Sequence, residues 1–227
     1  MDMIENKNRE TKLLQAKLSY LKELSLISAV IGNVYDKANY GLILWANRPP
    51  GPGFDISINL TKYISGATPT IVLDDLLPKA VYHRDDSAQN EVNNVYLSFF
   101  KSRNCKVFRL SEMHKQLGDN QFFSQFLDFS DKVSIKDFLN LLPEKKKAAM
   151  KSLTFLEVIH MIDQLFTLEL AVKYLRINTV ITPQFNQAVY MLHRDISKTP
   201  ISAIVTPPFG KEEEVLIKLK ELNALMP

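Results

Sequence analysis

Apolar side chains recur along this chain in two rhythms. One returns every three to four residues. Leu13, Leu14, Leu18, Leu21, Leu24 and Ile27, with polar residues between them, predict a helix over 10–29. The other is a short unbroken run. Tyr40 to Ala46 (YGLILWA), Thr70 to Leu73, Lys106 to Leu110, Val180 to Thr182 and Ile201 to Val205 predict buried strands. Helical spacing fills the gaps over 55–63, 87–101, 120–140, 144–170, 184–195 and 211–222, with Pro143 dividing two of these segments. Val92, Val95, Tyr96 and Phe99 fall on one helical face, and Phe122, Phe123, Phe126 and Phe129 on another. The second group suits a core or a dimer face better than a base-stacking platform.

Breakers separate the two rhythms, chiefly Pro49-Pro50-Gly51-Pro52-Gly53, Gly66-Ala67-Thr68-Pro69 and Pro207-Pro208-Phe209-Gly210. Strand, helix and strand joined by short breakers make βαβ units. The expected fold is therefore α/β, a Rossmann-like open parallel sheet flanked by helices, with a helical insertion. One domain is expected over 1–227, with a helical segment at 1–39 and the Rossmann-like core at 40–222.

Composition narrows the function only modestly. The chain is 46% hydrophobic and 23% charged with a net charge of +3, too mild to establish nucleic-acid binding. A single cysteine, Cys105, excludes an internal disulfide framework, and its place beside a strand predicts a buried, inert thiol. No apolar run approaches membrane-span length, and the polar start MDMIENKNRETK is no signal peptide, so a cytoplasmic protein without membrane contact is expected.

The four histidines, His83, His114, His160 and His193, show no metal-ligand spacing, and no metal site is expected. His160 stands on an otherwise apolar helix, as either a satisfied core histidine or a ligand or proton-transfer group. No GxSxG, GxxxxGK[ST] or GxGxxG loop is present. Asp74-Asp75 closes a strand where ligands meet open α/β sheets, although a turn or helix-start role suits the pair equally. Lys145, Lys146, Lys147 and Lys151 form the densest basic cluster, and Arg103, Lys106, Arg109 and Lys115 a looser one. Each reads first as a solvated helix face or strand edge and second as a nucleic-acid contact.

The stretch from Phe155 to Asp195, a helix leading through Val180-Ile181-Thr182 into a helix ending in Arg194-Asp195, resembles the catalytic domain of class I tyrosyl- and tryptophanyl-tRNA synthetases. The resemblance covers roughly Leu42 to Leu222, without the anticodon-binding domain that normally follows. It implies two ATP motifs. Where a HIGH-like motif would open a helix after Asn47-Arg48-Pro49-Pro50-Gly51, the chain reads Phe54-Asp55-Ile56-Ser57, and Asp55 carries the wrong charge for a phosphate. Where a KMSKS loop would follow 204–210, it reads Lys211-Glu212-Glu213-Glu214. The acidic run also suits the first turn of a helix.

The resemblance further implies an aminoacyl pocket. His160 and Gln164 match a tyrosine and a glutamine that hold the substrate's ammonium and carboxylate. Thr167 matches the aspartate that a tyrosine-specific enzyme turns to the phenol, Leu44 replaces another phenol-binding residue, Asn186 matches a pocket glutamine and Asp75 matches a family aspartate. These replacements point away from tyrosine. Cyclodipeptide synthases share the fold, lack both ATP motifs and draw amino acids from charged tRNA. In this chain Ala46-Asn47 lies where their nucleophilic serine would, and His160 and Gln164 where they use tyrosine and glutamate. Asn47 would then line the pocket.

The expected function is thus a synthetase-like protein without ATP activation that binds or uses aminoacyl-tRNA and takes no cofactor. If active, it would be a tRNA-dependent aminoacyltransferase. The alternative is a non-catalytic scaffold that keeps the fold for interaction, and the family's habit of dimerising implies a homodimer. An ATP-dependent synthetase with unusual motifs ranks last.

Overall fold

The computed structural model describes residues 3–35, 38–45, 49–76, 78–79, 83–130, 155–183, 187–207, 210 and 212–224. In chain order these form α1 (Met3–Glu23), β1 (Ala29–Ile31), β2 (Tyr40–Trp45), α2 (Pro52–Ser65), β3 (Thr70–Asp74), α3 (Asp86–Lys101), β4 (Lys106–Arg109) and α4 (Leu110–Leu117). There follow α5 (Asp119–Ser130), α6 (Phe155–Leu175), β5 (Thr179–Pro183), α7 (Gln187–Ile196), β6 (Ser202–Thr206) and α8 (Glu212–Ala224). The strands make one sheet of order β1-β6-β5-β2-β3-β4. Every neighbouring pair is parallel except β1 and β6, which run antiparallel.

The α/β expectation holds, with two differences. The sheet is mixed, because β1, inside the segment expected to be helical, adds an antiparallel edge through Ala29↔Val205 and Ile31↔Ala203. Three residues carry too little periodicity to announce a strand, and β6 supplies the pairing. Leu110, expected to end a strand, instead opens α4 and is buried there.

Alternation in the strands divides the core into two faces. Ile71 and Leu73 of β3 join Leu42 and Leu44 of β2 against α2 and α3, with Tyr96 and Phe100 filling the space. Val72, Val180, Ala203 and Val205 point the other way, under α4, α6 and α7. Each fully buried aliphatic side chain of this kind contributes about 1.5–3 kcal/mol. The helix faces read from sequence are off by a position in places. Val95 is exposed while Phe100 is buried, Leu13 is exposed on α1, and Phe123 is exposed while Phe122 is buried. Phe129's side chain and residues 131–154, the middle of the segments expected to be helical over 120–140 and 144–170, lie outside the described residues, and Lys145, Lys146, Lys147 and Lys151 with them. Cys105 is buried, and desolvation raises its thiol pKa, as an inert core thiol requires.

Two features position the site. α2 starts on Pro52 after the extended Gly51 and stops at Gly66, whose φ of 73° suits glycine. β2 and β5 pair only at Tyr40↔Thr179 and Gly41↔Val180, whereas β2 stays on β3 as far as Trp45↔Asp74 and β5 stays on β6 as far as Pro183↔Thr206. The two strands therefore part towards their C-terminal ends. This is where the strand order reverses, the position at which open α/β sheets take ligands.

Candidate functional site

Helix α6 crosses this opening. Gln164, Thr167 and Leu168 share one helical face at spacings of three and four, and with α7's Val189 and Tyr190 they close over the ends of β2 and β3. Ile43, Leu44, Trp45 and Asp74 supply the strand side. The enclosed space is ≈ 20 Å³, room for about one water molecule.

Charge is concentrated at one point of this apolar wall. Asp74, 2% exposed, is hydrogen-bonded to Asp163 of α6, 7% exposed. Two carboxyl groups can share a hydrogen bond only if one is protonated. Burial, and then the charge of Asp74, hold the Asp163 pKa well above the usual carboxylate range. Among the described residues, Asp163 Oδ2 and the buried Thr167 Oγ1 find no hydrogen-bond partner. Unsatisfied groups of this kind cost about 1–3 kcal/mol each unless something fills the place. Tyr190 is also wholly buried. Desolvation pushes its pKa up to about 12, against the opposing effect of its hydrogen bond with Thr182.

Asp75, the next residue, has the opposite environment. Its carboxylate accepts from Arg109 Nε at 2.8 Å, Ser111 N at 2.9 Å and Ser111 Oγ at 2.7 Å, tying β3 to the start of α4. Asp75 does not line the cavity, whereas Asp74 does.

At the start of α2, where the resemblance implies phosphate binding, Asp55 forms a two-pronged ion pair with Arg103, whose guanidinium also lies 3.6 Å from the Phe99 ring centre. Glu212, Glu213 and Glu214 form the first turn of α8. Glu212 accepts from Gly210 N and Glu214 pairs with Lys218, which is the helix-start role.

Of the predicted pocket residues, Gln164 and Thr167 meet at the cavity. His160 lies on α6, its side chain outside the described residues, as are Asn47 and Asn186 altogether. Sequence reasoning missed Asp163, although a lone carboxylate in the apolar run Met161-Ile162-Asp163-Gln164-Leu165-Phe166 was a visible signal. It also missed His193, fully buried, whose Nε2 lies 2.9 Å from Glu169 Oε2, which in turn accepts from Ser197 Oγ at 2.7 Å. Among the described residues no group of three or more His, Cys, Asp or Glu is arranged to hold a metal ion, and no helix is long and apolar enough to cross a membrane.

The fold is that of class I tyrosyl- and tryptophanyl-tRNA synthetases. The chain superposes on a C-terminally truncated mitochondrial tyrosyl-tRNA synthetase from Coccidioides posadasii with a TM-score of 0.64 at 11% identity, covering 89% of this chain and 71% of that one. For the Archaeoglobus fulgidus tyrosyl-tRNA synthetase solved with L-tyrosine the values are 0.60, 13%, 86% and 64%. For the Plasmodium falciparum tryptophanyl-tRNA synthetase they are 0.58, 11%, 90% and 63%. The chain thus spans roughly two thirds of the length of these structures. No family model and no curated protein matches it in sequence. Identity this low establishes the fold and leaves the activity to the site.

Proposed function

We propose that this protein binds an aminoacyl group in the crevice between β2 and β5, taking it from aminoacyl-tRNA rather than forming it from an amino acid and ATP. The observation that carries this reading is the buried Asp74–Asp163 pair beside Gln164 and Thr167, polar groups gathered where the fold receives ligands. At the ATP positions, by contrast, Asp55 is neutralised by Arg103 within the protein, and the glutamates of α8 serve their own helix. Neither offers a phosphate the cations or free amides it needs. If the group is transferred, the protein is a tRNA-dependent aminoacyltransferase. Gln164, His160, Asn47 and Asn186 are the residues to test, the protein would act in the cytoplasm, and no cofactor is required.

A second reading is a non-catalytic scaffold, a homodimer or a docking partner. Phe123 and Leu127, both exposed one turn apart on α5, favour it. A titration with bulk charged and uncharged tRNA at two salt concentrations separates the two. Preferential, salt-dependent binding of charged tRNA is expected. Replacing Lys145, Lys146, Lys147 and Lys151 by alanine should then flatten the salt dependence, by a slope of about one for each phosphate that is no longer neutralised. Absence of binding at low salt would sink the aminoacyl reading and leave the scaffold.

A further inference from the structure

We propose that the cavity over the ends of β2 and β3 selects the aminoacyl group by the size and hydrogen bonding of its side chain. It takes the small hydroxylated side chain of serine and refuses aromatic and branched ones. The inference rests on the aminoacyl reading and names the substrate class which that reading leaves open.

Size decides first. The space enclosed by Ile43, Leu44, Trp45, Leu168, Val189 and Tyr190 is ≈ 20 Å³. One water-sized group needs about 10–15 Å³, so the cavity accepts a single hydroxyl or methyl and no ring. Its wall is held from behind. Leu168 and Val189, 1% and 4% exposed, belong to the same cluster as Val72, Leu165 and Val180. Leu44 is buried with Ile58, Leu73 and Tyr96 on the other face. Tyr190 is buried too, and its hydrogen bond with the fully buried Thr182 fixes the ring. Admitting a phenol or an indole would displace close-packed side chains, which interiors resist.

Hydrogen bonding decides second. Thr167 is 1% exposed and lines the cavity, and its Oγ1 has no hydrogen-bond partner among the described residues. An incoming hydroxyl can donate to this oxygen or accept from it, whereas a methyl group leaves it unpaired. Serine therefore ranks above alanine. Threonine brings the same hydroxyl with a methyl group that the space does not hold. Asp74, in the same wall, is 2% exposed, and a second carboxylate beside it would be buried without a counter-charge, which excludes acidic side chains.

The test uses one tRNA body carrying serine, alanine, threonine, tyrosine or tryptophan through a stable 3′-amide, with the uncharged tRNA as reference. Fluorescence anisotropy at a single salt concentration reads the affinities. The seryl form should bind at least about tenfold more tightly than the tyrosyl and tryptophanyl forms, with the alanyl form next to it. Thr167→Val should bring the seryl form down to the alanyl level. Leu168→Ala, and the milder Val189→Ala, should narrow the gap between seryl and tyrosyl forms, with folding checked by circular dichroism. Equal binding of seryl and tyrosyl forms, both above uncharged tRNA, would overturn this inference and leave the aminoacyl reading standing. A gap that neither enlarged cavity narrows, or a seryl preference over alanyl that survives Thr167→Val, would overturn it as well. Equal binding of charged and uncharged tRNA would defeat the aminoacyl reading and this inference with it.

Discussion

One peptide bond separates two carboxylates with opposite fates. At the corner of β3, β4 and α4, Asp75 has its acceptors filled by an arginine, a backbone amide and a hydroxyl of its own protein. At the corner of β3 and α6, Asp74 meets another acid, and Asp163 Oδ2 and Thr167 Oγ1 are left without partners among the described residues. The first corner is finished by folding. The second retains an electrostatic cost that folding does not remove, a feature that functional sites share more often than structural ion pairs do. The start of α2 is of the finished kind, since Asp55 and Arg103 satisfy each other where phosphate binding was in question.

The contrast can be broken by mutation. Asp75→Ala leaves Arg109 without its partner at a partly buried position and should lose about 3–5 kcal/mol in urea unfolding. A loss under about 1 kcal/mol, the range of a surface pair, would show that this corner is not the clamp described.

Asp163 should make stability depend on pH. Its folded pKa lies above its unfolded one, so its stabilising effect is complete at pH values below the ordinary carboxylate range and is lost as pH rises towards the raised value. Between those limits stability should fall with pH by up to about 1.4 kcal/mol per unit from this group. Asp163→Asn should flatten that slope and be the more stable protein at pH 8. Parallel curves for the two proteins would refute the shared proton.

Smaller effects sharpen the contrast. Asp55→Ala removes a partly exposed pair and should cost only about 1 kcal/mol. Thr167→Val replaces an unpartnered buried hydroxyl by a methyl and should be neutral or stabilising by less than about 1 kcal/mol, whereas a hydroxyl in a sound hydrogen bond would cost at least that much. Thermal melts of the two variants would read both.

Much of the fold was legible because its signals are local. The unbroken run Ile71-Val72-Leu73 can only be a strand covered on both sides, and Pro52 and Gly66 mark the ends of α2. β1 was not legible, because its only support is the pairing with β6 far along the chain. The start of α4 at Leu110 was hidden by apolar continuity with β4. Gln164 and Thr167, named through the resemblance, share a helix face and line the cavity. The choice of Asp75 over Asp74 turned on which side of β3 each faces, and the partnership with Asp163 is a tertiary contact that no spacing encodes.

The most direct measurement is a carbon-13 NMR titration of the aspartate side-chain carboxyls. One carboxyl should keep its proton to pH values well above the ordinary carboxylate range, and this resonance should vanish from the spectrum of Asp163→Asn. If every aspartate ionises in the ordinary range, the two corners of β3 do not differ as described.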